Sequence, residues 1–383
     1  MKRRLALVTA GLALVGGLLP GALSNASAGA EAGTSTANVK HLKTIPFEVG
    51  TATGARTFEV KGKQYLMVTS WKSFSIYDLK DPLNPALVGT PTPFGFKFEN
   101  EDVSTNGKIM LFSEELPADV LHVWDIQNLA APREIATLPN GGGHTSSCIL
   151  DCQYSLSSEG YIVDLRRPDQ PKKIGNWITE AEVRGVHDVT EISPGMVLTA
   201  SAPAKLLDFR TSVTSPKVLA SYQGISTNVQ HSTQWPRGGK DRFAFMSEES
   251  NASGTCPAKG GPKFIAVDTL GWEKTGKLKD AGTYGLKNGV YVDGGPPVNG
   301  LGCSTHWFQQ HPSFNNGGLV ALGSYEHGTR FLLTSPKGAL KEEGWFVPFG
   351  GSTSAAYWIT DKIVYSIDYT RGFDILEYSG KLK

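Results

Sequence analysis

Apolar positions in this chain come in short bursts of three or four residues, with no stripe at helical spacing. Four of these bursts end in an aspartate and lead through a proline turn to a second apolar stretch. They are Ile76-Tyr77-Asp78 to Pro85 to Leu87-Val88, Val123-Trp124-Asp125 to Pro132 to Ile135, Ile162-Val163-Asp164 to Pro171 to Ile174, and Leu206-Leu207-Asp208 to Pro216 to Val218-Leu219. Bursts of this length, separated by Gly, Pro, Asn and Asp, read as strands joined by tight turns. Each set reads as the third and fourth strands of a four-stranded unit.

The units recur. A stride of 43 residues links Phe58, Glu101, His144 and His187, a step of 44 reaches His231, and longer steps of 75 and 48 residues continue to His306 and Ser354. A period above 40 with strand patterning is that of β-propeller blades, in which each blade covers the face its neighbour leaves exposed. The expected fold is an all-β, seven-bladed β-propeller over residues 39–383. The last blade, from Ala356 to Tyr378, has only three strands of its own. Val39 to Phe47 resembles the other fourth strands and is expected to complete it, which removes an open sheet edge. Residues 31–38 read as a flexible leader.

The repeated apolar-Asp-Leu-x-x-Pro-x-x-Pro units resemble the LVIVD-repeat propellers of secreted bacterial proteins, from about residue 55 to 380. That resemblance implies a fold far more than a reaction. Ile265-Ala266-Val267-Asp268 lacks the proline turn, and Phe331-Leu332-Leu333 lacks the aspartate.

Lys2, Arg3 and Arg4 precede an apolar run from Leu5 to Leu19 and small residues up to Ala30, the plan of a cleaved signal peptide over residues 1–30. The protein is therefore expected to be secreted, monomeric and without a membrane span. Net charge is +1 with 19% charged residues, and beyond the leader no basic run offers nucleic acid an electrostatic footprint. No nucleophile-elbow, phosphate-loop or HExxH motif is present.

His144, His187, His231 and His306 occupy one equivalent position of successive blades, at the start of the innermost strand. That position gathers side chains at the mouth of the central channel. The second strands end on the same rim, bringing Glu114, Glu115, Glu159, Glu248, Glu249, Glu326 and Asp368. Imidazoles ringed by carboxylates suit a transition metal, since carboxylates fix the tautomer of ligating histidines. The expected cofactor is a transition-metal ion, copper or iron rather than zinc, held by these four histidines. Glu101 is expected as a fifth ligand or nearby base, and His327 as a ligand or general base. A competing reading is blade bracing, because a serine recurs near the end of every second strand: Ser70, Ser113, Ser157, Ser201, Ser247, Ser324 and Ser366. Histidine, however, stops after four blades and serine does not.

Two insertions, near residues 250–262 and 282–305, break the period and should emerge over the histidines. Each holds one cysteine, so Cys256 is expected to pair with Cys303 as a lid, and Cys148 with Cys152 locally. His41, His122 and His311 read as structural. Histidine-bearing propellers such as the carotenoid-cleaving oxygenases and the relatives of selenium-binding proteins supply a fold-level analogy. The expectation is a metal-dependent oxidoreductase acting on a small molecule beneath the loops. The alternative is a metal-free extracellular binding module that uses the same face.

Overall fold

A computed structural model describes residues 32–47, 52–95, 103–115, 117–224, 228–250, 261–286 and 302–383. The expected signal peptide, Glu101, Cys256 and most of both insertions lie outside the described residues.

The chain folds as antiparallel four-stranded meanders, one after another, over residues 52–87, 104–138, 146–176, 184–222, 229–285 and 308–348. The last set, Thr353–Trp358, Ile363–Asp368 and Gly372–Tyr378, takes its fourth strand from Val39–Ile45, which pairs antiparallel with Gly372–Tyr378. The expected splice is therefore present. Asp374, fully buried, fastens it by accepting hydrogen bonds from Thr44 Oγ1 at 2.6 Å and from Arg371, with His41 Nε2 at 3.0 Å.

Strand alternation gives each sheet two apolar faces, and each face is covered by the next sheet. Met67, Phe74 and Ile76 pack on Met110, Phe112 and Trp124. Leu111 and Val123 pack on Val163, Leu156 and Ile162 on Val197 and Leu207, and Leu206 on Met246 and Val267. Phe245 and Phe264 pack on Val320 and Leu332, Phe331 on Val364 and Leu376, and Tyr365 and Phe373 return to Leu66 and Val68. The last sheet thus packs on the first. Innermost strands lie side by side in the same order: Ser146–Ile149 against Arg184–Ser193, that strand against Val229–Gln234, and Thr353–Trp358 against Ala52–Val60.

Two expectations need correction. Residues 31–38 are not simply a flexible leader, because Gly33–Ser35 pairs antiparallel with Phe346–Pro348 and adds a fifth strand to the edge of the sixth sheet. Nor does the second insertion begin at 282, because the strand Lys277–Gly285 continues to Gly285. Tyr284 stays in that strand because its hydroxyl donates to Glu342 of the next sheet.

Cys148 and Cys152 form a disulfide across the turn at the far end of Ser146–Ile149 from His144. Leu150, Asp151 and Cys152 all lie in the left-handed region, with φ of 53°, 57° and 54°. That conformation is unfavourable for non-glycine residues, so the cross-link holds a turn the sequence would otherwise abandon. Cys148→Ser/Cys152→Ser is expected to lose about 2 kcal/mol, the loop-entropy estimate for so short a ring, read as a lower urea midpoint. An unchanged midpoint would show that the turn holds itself. Cys303 is also disulfide-bonded, and its expected partner Cys256 lies outside the described residues. Among the described residues no helix is long and apolar enough to cross a membrane.

Candidate metal centre

Inner-strand irregularity decides where the repeat histidines point. Gln230 pairs with Glu248 and Ser232 with Ser247, so His231 is an extra residue bulged out of the ladder. His187 falls in a larger irregularity between Arg184 and Asp188. A bulge re-aims the side chain that plain alternation would bury between sheets. His144 and His306 each lie two residues ahead of their strands, Ser146–Ile149 and Phe308–Gln310. The result is a continuous arc of four imidazoles. Ring centroids of His144 and His187 are 4.5 Å apart, and those of His187 and His231, and of His231 and His306, are 3.9 Å apart. The arc runs inward: the side chain of His144 is 32% exposed and that of His187 8%, while His231 and His306 are fully buried.

The arc does not deliver all four histidines to one point equally. His187, His231 and Glu249 are the described residues whose donor atoms converge, all within 4.8 Å of one another. Two ligands each about 2.1 Å from one ion sit at most about 4.2 Å apart, so these three groups need to close by roughly half an ångström. Glu249 thus joins the two central imidazoles of the expected four-histidine set, and His144 and His306 flank them along the arc.

Both flanking rings are oriented by acceptors. His306 Nδ1 donates to the Ser354 carbonyl at 2.6 Å, which leaves Nε2 to face the Tyr325 hydroxyl at 3.1 Å. His144 Nδ1 lies 3.0 Å from Glu115 Oε2. This hydrogen bond holds the Glu115 carboxyl below its usual range, with burial opposing it. Glu159 is pushed up by burial and by the negative charges of Asp119 and Glu115. The segment entering His306 is stitched to the acids: Thr305 N donates to the Glu248 carbonyl at 3.0 Å, Glu248 N to Thr305 Oγ1 at 3.0 Å, and Ser304 bridges Glu249. Trp307 stands edge-on to His231 at 5.0 Å and walls the site.

The repeating serines are all buried. They brace the sheets through hydroxyls and turn backbone, as in Ser113 to Ser146, Ser247 to Ser232, Ser366 to Thr329 and Ser70 to Ser73. His327 is buried in a turn, its N–H donating to the Ser324 carbonyl. In the same turn Tyr325 reaches the histidine arc, its ring 4.6 Å from His306. Glu101 lies outside the described residues. His122 sits between Glu134 and Glu114, and His311 between Ser313 and the Asp361 carbonyl, each in a structural role.

Sequence reasoning placed Glu249 on the rim but did not single it out, and it missed Tyr325. One signal was available for the acids. Glu115, Glu159, Glu249, Glu326 and Asp368 each follow their repeat serine by two residues, so acids and histidines occupy paired slots of the same repeat.

No family model and no curated protein matches the chain. Among solved structures it is similar to YCF48 from Cyanidioschyzon merolae, with a TM-score of 0.54 at 10% identity over 89% of this chain and 98% of that one. YCF48 bound to D1 peptide gives a TM-score of 0.49 at 11% identity, covering 89% and 94%. The first of these likenesses shows an all-β chain with the β-propeller fold, and at that identity it bears on fold alone.

Proposed function

We propose that this chain is a secreted, seven-bladed β-propeller of the LVIVD-repeat kind that binds one transition-metal ion and acts as an oxidoreductase on a small molecule. The observation that carries the reading is the convergence of His187, His231 and Glu249, flanked by His144 and His306. Two imidazoles and a carboxylate with open positions are the donor set of non-haem iron oxygenases. The carboxylate oxygen moves the preference from copper toward iron. Zinc is served by similar sets in hydrolases, but hydrolysis has no further support here.

When bound, the ion would supply one-electron chemistry with a small oxidant. The chain's own groups would do the rest. Burial of His231 and His306, with Trp307 behind them, keeps water from the inner end of the arc. His144, the most exposed ring, marks the side from which a substrate enters. Ser354 and Glu115 fix ring orientations, so Nε2 of both flanking imidazoles faces away from those acceptors.

The test is metal analysis of protein purified from its own export route. About one equivalent of iron per chain is expected. Protein that carries no metal and takes up none of iron(II), zinc(II) or copper(II) would overturn this reading in favour of a metal-free binding module.

A further inference from the structure

We infer that Tyr325 is a positioning residue that aims the Glu249 carboxylate at the metal; the inference rests on the metal reading above. The Tyr325 hydroxyl donates to Glu249 Oε1. The other carboxylate oxygen, Oε2, lies 4.0 Å from His187 Nε2. The two oxygens are thus divided between the tyrosine on one side and the histidines on the other. Ligating carboxylates are commonly held in this way by an outer hydrogen bond, and loss of such partners weakens metal binding.

Hydrogen counting gives the tyrosine a second constraint. The Ser354 carbonyl can only accept, so the Nδ1 proton of His306 is committed to it, and Nε2 faces the Tyr325 hydroxyl at 3.1 Å. Tyr325 has a single hydrogen and stands between that nitrogen and a carboxylate. That hydrogen goes to the carboxylate, so the tyrosine ties Glu249 to the last imidazole of the arc.

Tyr325 adopts φ of 44°, in the left-handed region where a bulky aromatic is an outlier. Strain of this kind persists where surrounding contacts over-determine it, and such positions cluster at functional sites. Here Tyr325 N donates to the Thr353 carbonyl and Thr353 N to the Tyr325 carbonyl, both at 2.9 Å. The adjacent Ser354 holds His306. The inner strand Thr353–Trp358 therefore carries no histidine at its repeat position, yet two successive backbone units of it hold the tyrosine and the last imidazole of the arc.

The experiment titrates cobalt(II) into metal-free full-length protein, following affinity and the visible bands that report coordination geometry. Tyr325→Phe is expected to weaken cobalt binding about 10- to 100-fold, the range for loss of an outer partner, and to change the bands. In a Glu249→Gln background the same substitution is expected to change affinity less than about twofold, as a double-mutant cycle requires if Tyr325 acts through Glu249. Tyr325→Asn, a residue at home in the left-handed region, deletes the same hydroxyl should the phenylalanine variant not fold. Wild-type affinity in a folded Tyr325 variant, or an equal loss in both backgrounds, overturns the inference. A wild type that binds no cobalt overturns the metal reading itself, a failure that its titration alone identifies.

Discussion

Replacing His231 by alanine is expected to weaken iron(II) binding by at least about 100-fold, beyond the 10- to 100-fold typical of losing an outer partner. His187→Ala and Glu249→Ala should match it. His144→Ala should cost less than about tenfold, and His306→Ala should stay within the outer-partner range. The gradient follows from geometry, since the donor atoms of His187, His231 and Glu249 lie within 4.8 Å of one another. His144 stands at the exposed end of the arc and is bonded outward to Glu115. Competition with a chelator of known affinity reads all five variants on one scale. Equal losses at the four histidines would restore the set the sequence first suggested, and no loss at Glu249 would remove the carboxylate from the site.

Stability is expected to fall as pH rises through about 6, and Asp368 is the group responsible. Its Oδ2 accepts from Ser352 N at 3.1 Å, and its Oδ1 from Thr370 N at 2.8 Å and Arg371 N at 3.0 Å. Burial outweighs these donors and the Arg371 charge, and pushes the carboxyl up to about 6. A carboxyl whose folded value lies above its unfolded value of about 3.9 favours the folded state while it is protonated. Its contribution is complete below about pH 4 and is lost as pH rises through 6. The shift of about two units is worth roughly 3 kcal/mol. Urea midpoints at pH 4 and pH 7 measure the loss. Asp368→Asn should be flatter between them, though less stable at pH 4 by about 1–2 kcal/mol for the acceptor it lacks. Because Glu159, Asp119 and Glu191 are also raised, mainly by burial, the difference between wild type and Asp368→Asn is the quantity to read. Parallel profiles would clear Asp368.

The sheets were legible because the aspartate and proline turns are local chemistry repeated at fixed spacing. The closing strand was legible because the last unit is visibly one strand short. Gly33–Ser35 was not, since three small polar residues carry no pattern and their strand conformation comes from the exposed edge at Phe346–Pro348. The histidines were legible as a repeat. Which carboxylate joins them was not, because acids occupy that slot in five units, and the irregular pairing that places His187 and His231 is not written in the spacing. Tyr325 was hidden for a different reason. Its slot holds Glu114, Ser158, Glu248 and Ile367 in other units, and a residue that departs from a repeat leaves no periodic trace.

The bulge that turns His231 inward recurs where there is no histidine. Thr353 pairs with Asp368 and Ala355 with Ile367, leaving Ser354 as the extra residue. The socket therefore belongs to the backbone, and the imidazole is an option installed in it. Duplicated units of this kind let ligand number drift by single substitutions while the scaffold stays as it is. At Ser354 the bulge presents instead the main-chain oxygen on which His306 depends. A lineage built on such a disc can gain, lose or relocate its chemistry around the rim without inventing a new fold.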